Sequence, residues 1–244
     1  MSRNELLFLD FDGVLCDSLP ETLVSSWIAY HEYVLGERPT AMPVDFRTEF
    51  SGLRPFIRSG EDYLLVQEII DRRLTVTDQA VFDRLLSGKG PERMKEFKDF
   101  FYKARQELLQ KKPEYWFSLN PIFGPLQQAL DSCRSKNRVF ILSTKKSDFI
   151  LKILKNNRMD FKAENVIDSG PADKAGLISR MLDRTGADKA HFIDDQLSHL
   201  QGVADRRIRL YLAAWGYVKP QWLTGSSGIN VMTLDKAVEL VKTF

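Results

Sequence analysis

The first apolar run of the chain leads directly into two acidic residues. Leu6 to Leu9 are all apolar, which is typical of a strand buried on both faces of a parallel sheet. Asp10 and Asp12 follow, separated by one phenylalanine, and Gly13 allows the chain to turn away. Two neighbouring carboxylates repel each other, and a hard cation with oxygen ligands, such as Mg²⁺, is a common compensating partner. The pattern predicts a core strand that ends at a candidate cation site.

The stretch after this strand has the spacing of helices and contains no clear strand. Ser18 and Glu21 fit the S-x-x-E pattern of a capping box, with Pro20 in the first turn of a helix that runs towards Gly36. Further helical patterns are EDYLLVQEIIDRRL and ERMKEFKDFFYKARQELLQ. We therefore predict an all-helical insert over residues 18–117.

Strands and helices alternate from residue 118 onwards. The predicted strands are RVFILS, ENVIDS, AHFIDD, IRLYLAAW and INVMT, with helical patterns between them. Such alternation is typical of a parallel sheet with helices on both faces. The predicted fold class is α/β, with a doubly wound, Rossmann-like parallel sheet core formed by residues 1–17 and 118–244 and split by the helical insert.

Composition is that of a soluble globular protein and argues against several other classes. The chain has 244 residues, of which 43% are hydrophobic, and a formal net charge of +2, which gives no basis for nucleic-acid or membrane-surface binding. Cys16 and Cys133 have neither the spacing nor the neighbouring histidines of a zinc site or disulfide framework. No apolar stretch suits a membrane span or a signal peptide. We expect a cytoplasmic protein, either a monomer or a homodimer.

Residues whose side chains can take part in catalysis or ligand binding follow four of the predicted strands or begin the next helix. They are Asp10, Asp12, Ser143, Thr144, Lys174, Asp194 and Asp195. Ligands of open α/β sheets bind beyond the carboxyl ends of the strands, so we expect these side chains to converge. Taken singly, each has a simpler interpretation as a turn, capping or surface residue. Their order along the chain and their shared position favour one joint site.

The same residues resemble the motifs of the haloacid dehalogenase superfamily. Asp10 to Ser18 is similar to its first motif, D-x-D-G-V-L-x-D-S, and Ser143 and Lys174 are similar to the second and third. The pair Asp194 and Asp195 is similar to the acidic fourth motif, although an aspartate replaces the common glycine and a histidine stands where a later acid is usual. The helical insert and its position resemble the cap of the phosphoglycolate phosphatase and β-phosphoglucomutase group. AAWGYV is similar to an aromatic-glycine loop of several members.

The resemblance implies a Mg²⁺-dependent phosphatase that hydrolyses a small phosphorylated metabolite through an aspartyl-phosphate. Asp10 would be the nucleophile and Asp12 the general acid and base. Ser143 would bind the phosphate, and Lys174 would offset negative charge. The implied Mg²⁺ ligands are Asp10, Asp12 through its backbone carbonyl, Asp194 and Asp195. The candidate substrate-binding residues of the core are Gly13 and Thr144.

The insert contains two further candidates for substrate binding. Arg54 and Arg58 lie in the segment GLRPFIRSGEDY, and guanidinium groups suit carboxylate or phosphate recognition. Solvation, or pairing with Glu61 and Asp62, explains these arginines at least equally well.

Three other functions stay open at this point. A phosphomutase of the β-phosphoglucomutase type uses the same first steps and differs in the acceptor of the phosphoryl group. A 2-haloacid dehalogenase has no need of Asp12 or of the acidic fourth motif, so these argue against it. A non-catalytic binding protein is disfavoured because every expected catalytic residue type is present.

Overall fold

The computed structural model describes residues 4–38, 41–170, 173–225 and 228–244. The chain forms two compact units. The α/β unit comprises Met1–Asp17 and Pro121–Phe244, and the helical unit comprises Ser18–Asn120. The α/β unit thus resumes at Pro121, whereas the sequence pattern predicts that it resumes at residue 118. Among the described residues, no helix combines the length and hydropathy needed to cross a membrane.

The described part of the helical unit contains helices and no strand. Its helices are α1 Leu19–Tyr30, α2 Phe46–Leu53, α3 Tyr63–Asp71, α4 Gln79–Ser87, α5 Pro91–Lys111 and α6 Pro113–Ser118. α1 continues as a wider π-helical turn that ends at Gly36, whose φ of 72° is left-handed. Stacked aromatic rings fill the interior, since Tyr63 packs against both Phe50 and Phe101. Burial of these rings holds α2, α3 and α5 together.

The start of α1 differs from the prediction. The side chain of Ser18 makes no capping hydrogen bond, and the Glu21 side chain is buried inside the helical unit. Arg105 of α5 donates to both carboxylate oxygens of Glu21 at 2.8 Å, and Ser25 donates to one of them at 2.7 Å. The predicted capping box is therefore wrong. Because a buried carboxylate needs a charged partner, the distant arginine decides where Glu21 points.

Within the described residues, the α/β unit is built on a six-stranded sheet in which all neighbouring strands are parallel. Its strands are β1 Glu5–Leu9, β2 Val139–Ser143, β3 Val166–Asp168, β4 Lys189–Asp194, β5 Ile208–Ala213 and β6 Ile229–Met232. The order β3-β2-β1-β4-β5-β6 is that of a Rossmann-type sheet. The predicted fold class is confirmed.

Helices cover the apolar strands of this sheet. They are α7 Gly124–Ser132, α8 Ser147–Asn156, α9 Lys174–Thr185, α10 Leu197–Leu200 and α11 Leu234–Lys242. Phe8 and Phe192 pack with α9 residues such as Ile178 in one core layer, while Leu7 and Leu9 point to the opposite face and are also fully buried. Burial on both faces explains why β1 reads as an uninterrupted apolar run.

Candidate active site

Acidic residues from two neighbouring strands meet at the carboxyl edge of the sheet. Asp10 directly follows β1, Asp194 ends β4, and Asp195 comes next. The backbone N–H of Asp10 donates to the carbonyl of Ile193 at 2.9 Å, which continues the pairing of β1 with β4. One carboxylate oxygen from each of the three aspartates lies within 4.8 Å of the other two, and all three residues are buried. The structure thus brings the first and fourth motifs together.

Lys174 lies between two of these carboxylates at the start of α9. Its Nζ is 3.0 Å from Asp10 Oδ1 and 2.8 Å from Asp194 Oδ2. Burial alone would lower the pKa of Lys174, but the two carboxylates outweigh it and raise that pKa above its ordinary value. A buried ammonium between two acids offsets part of the free-energy cost of burying their negative charges.

Asp10 and Asp194 differ in how their charge is balanced. Burial raises the pKa of Asp10, Lys174 opposes this rise, and Asp194 adds to it. Burial also acts to raise the pKa of Asp194, but Lys174 and His199 outweigh burial and lower it. His199 Nδ1 lies 3.0 Å from Asp194 Oδ2, and the backbone N–H of Gln196 donates to Asp194 Oδ1 at 2.8 Å. The negative charge of Asp10 is therefore less fully balanced by positive groups of the protein than the negative charge of Asp194.

The donor set suits a hard divalent cation. Asp10, Asp194 and Asp195 could hold a metal ion with one carboxylate oxygen each. Mg²⁺ and Ca²⁺ prefer oxygen ligands of this type. A positive ion among the carboxylates would also supply the compensation that burial denies to Asp10.

Asp12 has a lysine partner that the sequence analysis did not assign. Lys145 Nζ lies 3.1 Å from Asp12 Oδ1, and the Lys145 side chain is only 1% exposed. Lys145 stands in the loop directly after β2, two residues beyond Ser143. This position beside the second motif was the available signal, but a lysine near a strand end is most often a surface residue.

The second motif lies at the same edge of the sheet, because β2 pairs with β1. Ser143 is the last residue of β2 and is buried. Its Oγ accepts a hydrogen bond from the Lys145 backbone N–H at 3.4 Å, and its carbonyl accepts one from the Ser169 N–H at 2.8 Å. Thr144 follows and is half-buried. The two predicted residues therefore lie at the junction between β2 and the loop that carries Lys145.

Gly13 lies where the loop after β1 passes very close to the fourth motif. Its φ is +85°, and a Cβ atom there would lie 2.0 Å from Asp195 Oδ2 and 2.9 Å from a ring carbon of Tyr217. Neither the backbone conformation nor the space accommodates a side chain. Gly13 is thus required for Asp195 to reach its place.

The aromatic-glycine segment after β5 fastens this part of the site. The Trp215 indole N–H donates to the carbonyl of Val14 at 3.0 Å, and the Tyr217 hydroxyl donates to Asp17 Oδ1 at 2.8 Å. The backbone N–H of Tyr217 donates to Asp195 Oδ2 at 2.7 Å. These three hydrogen bonds connect the loop after β5 with both the first and the fourth motif.

The two arginines predicted for substrate binding lie in the helical unit. The Arg58 guanidinium donates to both carboxylate oxygens of Asp83, at 2.8 and 2.7 Å, and the Arg58 backbone N–H donates to Asp62 at 2.9 Å. Arg54 is buried, with its guanidinium 6.0 Å from the centre of the Tyr63 ring. A role of either arginine in substrate binding stays a prediction.

Comparison with known proteins identifies the fold. No protein-family model matches the sequence, and no curated protein is significantly similar to it. Solved structures do match. They include a predicted phosphatase from Clostridium acetobutylicum (TM-score 0.61, 14% identity, 100% of both chains covered) and a predicted phosphoglycolate phosphatase from Haemophilus somnus (TM-score 0.61, 14% identity, 99% of this chain and 98% of that chain).

A third match is a haloacid dehalogenase-like family hydrolase from Streptococcus pneumoniae, with a TM-score of 0.56 and 16% identity over 98% of this chain and 97% of that one. At this level of identity the likeness concerns the fold. The chain therefore has the fold of the haloacid dehalogenase-like hydrolases, which confirms the predicted resemblance at the level of fold.

Proposed function

We propose that the protein is a Mg²⁺-dependent phosphatase that hydrolyses a small phosphorylated metabolite. The observation that carries this proposal is the meeting of Asp10, Asp194 and Asp195 with Lys174 at one edge of the sheet. Phosphoryl transfer requires mainly positioning and neutralisation of charge on the phosphoryl oxygens, and a cluster of this kind supplies both. Two of the solved structures with a similar fold are named as phosphatases, which agrees with this assignment.

The proposed reaction has two steps. In the first, a carboxylate oxygen of Asp10 attacks phosphorus, the bond from phosphorus to the ester oxygen breaks, and Asp12 gives that oxygen a proton. In the second, Asp12 takes a proton from water, the water oxygen attacks phosphorus, and phosphate leaves Asp10 as a free carboxylate. The sequence of events restores both aspartates.

The remaining site residues bind and orient. Asp10, Asp194, Asp195 and the backbone carbonyl of Asp12 would hold the Mg²⁺, which when bound neutralises negative charge on the phosphoryl oxygens. Lys174 balances the carboxylates, and Lys145 holds the side chain of Asp12. Ser143, Thr144 and the backbone at Gly13 would contact the phosphate.

We also propose that the helical unit acts as a cap that excludes water and contacts substrate. It is a single insertion between β1 and β2. Both connections leave the α/β unit at adjacent points, because the Asp17 backbone N–H donates to the Pro121 carbonyl at 2.9 Å. Arg54 and Arg58 are its candidate substrate contacts.

Hydrolysis of p-nitrophenyl phosphate tests the proposal. We expect activity with Mg²⁺, loss of activity with EDTA, and activity at background level for Asp10→Asn, because an amide neither attacks phosphorus nor binds the cation well. Asp188→Asn is a matched control, since Asp188 is exposed and precedes β4 at the opposite end of that strand. Equal activity of Asp10→Asn and the control would refute the assignment of the nucleophile. Release of inorganic phosphate from a panel of metabolites separates a phosphatase from a mutase.

A further inference from the structure

The loop after β5 lies directly against the side chain of Asp195, one of the proposed Mg²⁺ ligands. Gly216 of this loop is so close that a Cβ atom at its position would lie 2.4 Å from Asp195 Cβ and 2.7 Å from the carbonyl oxygen of Gly13. Asp195 itself is buried. The position of its carboxylate therefore depends on the position of the loop.

Tyr217 contacts the Asp195 carboxylate through its backbone. The Tyr217 N–H donates to Asp195 Oδ2 at 2.7 Å, and hydrogen bonds to an ionised acceptor are among the strong ones. One carboxylate oxygen of Asp195 also lies within 4.8 Å of those of Asp10 and Asp194. Because a backbone N–H moves only with the chain, the backbone at Tyr217 sets the direction of a carboxylate in the acidic cluster.

The side chain of Tyr217 fixes this backbone at a second point. Its hydroxyl donates to Asp17 Oδ1 at 2.8 Å, and Asp17 lies 200 positions earlier in the chain, in the segment after β1. Its ring borders Gly13, where an added Cβ atom would lie 2.9 Å from a ring carbon. Tyr217 is therefore held to the segment after β1 by its side chain and to the fourth motif by its backbone.

We propose that Tyr217 is a positioning residue for the binding of Mg²⁺. The hydrogen bond from its hydroxyl to Asp17 fixes the loop, and its N–H then keeps the Asp195 carboxylate in place for the cation. Mg²⁺ demands near-ideal ligand geometry at short distances, so its affinity falls when one ligand is displaced. This role rests on the proposed function, since it requires the Mg²⁺ site.

Tyr217→Phe tests this role because it removes only the hydroxyl and leaves the ring and the backbone N–H. Isothermal titration calorimetry of the whole protein with MgCl₂ measures the consequence without the use of phosphatase activity. We expect the dissociation constant for Mg²⁺ to rise about fivefold, which corresponds to about 1 kcal/mol, the contribution of one hydrogen bond.

Tyr211→Phe is the matched control. Tyr211 belongs to β5, is half-buried like Tyr217, and has its hydroxyl 3.1 Å from Nδ1 of His191. Both variants therefore lose one hydroxyl that contacts a distant segment, and urea denaturation measures the loss of stability that a purely structural role produces. We expect only Tyr217→Phe to weaken Mg²⁺ binding, because the Tyr211 hydroxyl contacts a side chain outside the acidic cluster.

A double-mutant cycle tests whether the hydroxyl acts through Asp17. Asp17→Ala removes the acceptor, and a protein with both substitutions completes the cycle. We expect Tyr217→Phe to have no further effect on Mg²⁺ affinity in the Asp17→Ala background, because the two substitutions remove the same hydrogen bond. The comparison also removes the effect of the lost Asp17 charge, which both Asp17→Ala proteins share.

Two results would overturn the positioning role alone. They are equal Mg²⁺ affinities of Tyr217→Phe and Tyr211→Phe, and an undiminished effect of Tyr217→Phe in the Asp17→Ala background. A natural protein that binds no Mg²⁺ would refute the metal dependence of the proposed function and the positioning role together, so the two failures are distinguishable.

Discussion

At the scale of single residues, Gly13 and Gly36 provide a matched comparison. Both have left-handed φ values, +85° and +72°, but a Cβ atom at Gly36 would meet nothing within 4 Å, whereas one at Gly13 would overlap Asp195. The difference between the two positions therefore reports the crowding at the site and not the backbone conformation.

We expect Gly36→Ala to reduce the free energy of unfolding by about 1 kcal/mol, the cost of a left-handed alanine. Gly13→Ala should cost about 1–3 kcal/mol more through overpacking, and it should weaken the proposed Mg²⁺ binding because Asp195 is displaced. Urea denaturation and calorimetric Mg²⁺ titration measure the two effects. Equal losses in both variants would show that the loop after β1 yields to the extra methyl group.

Asp194 and Lys145 show which residues of the candidate site could be predicted from the sequence and which could not. Asp194 could be predicted because the end of an apolar strand can be recognised locally and all parallel strands share a carboxyl edge. Lys145 could not, because its partner Asp12 is 133 positions away, and nothing local distinguishes it from the neighbouring Lys146. Pairing between distant segments is a property of the folded chain.

At the scale of elements, the turn before α3 contains an acid whose ionisation opposes folding. Asp62 accepts hydrogen bonds from the backbone N–H groups of Arg58 and Ser59 at 2.9 and 3.1 Å. Burial nevertheless raises its pKa from 3.8 to about 6. Because the folded form binds this proton more tightly than the unfolded chain, the stabilisation is complete below about pH 3.8 and is lost as the pH rises through about 6.

We therefore expect the free energy of unfolding of the helical unit to fall by about 2 kcal/mol more in the natural protein than in Asp62→Asn when the pH rises from 4 to 7. Urea denaturation of both proteins at the two pH values measures this difference. The comparison removes the contribution of all other titrating groups, which the two proteins share. Parallel pH profiles would mean that Asp62 is ionised in the folded state throughout this range.

Elements differed in how well the sequence predicted them. Strands β1 and β2 are clear because two buried faces produce the continuous apolar runs Leu6–Leu9 and Val139–Leu142. Their order in the sheet does not follow from such runs, since any parallel arrangement buries them equally. The capping box at Ser18 failed for a related reason: Glu21 has two chemically reasonable partners, and the choice between the local backbone and Arg105 is made by tertiary packing.

At the scale of the whole molecule, the division into two units predicts that damage to one remains local. Glu21 and Arg105 are 0% and 3% exposed, so a variant that removes the arginine leaves a buried carboxylate without its charge partner. We expect Arg105→Met to destabilise the helical unit by about 3–5 kcal/mol. Hydrogen exchange should show lost protection within residues 18–120 and retained protection in β1, β2 and β4.

Arg38→Met is the appropriate control for this variant. Arg38 also forms ion pairs with two glutamates of the helical unit, Glu32 and Glu107, but its side chain is 53% exposed. Solvated pairs of this kind contribute at most about 1 kcal/mol. Loss of protection that spreads through the sheet in Arg105→Met would show that the two units unfold together.

The central place of β1 has a consequence for a chain that is still being made. β1 ends at residue 9, but its two neighbours in the sheet begin at residues 139 and 189. At ribosomal rates of roughly 5–20 residues per second, this apolar segment remains without a partner for on the order of ten seconds. The residues of the insert emerge meanwhile and include all of their own core. A nascent chain that ends before β4 therefore exposes an apolar strand that lacks a neighbour in the sheet. This is the form that a chaperone would bind.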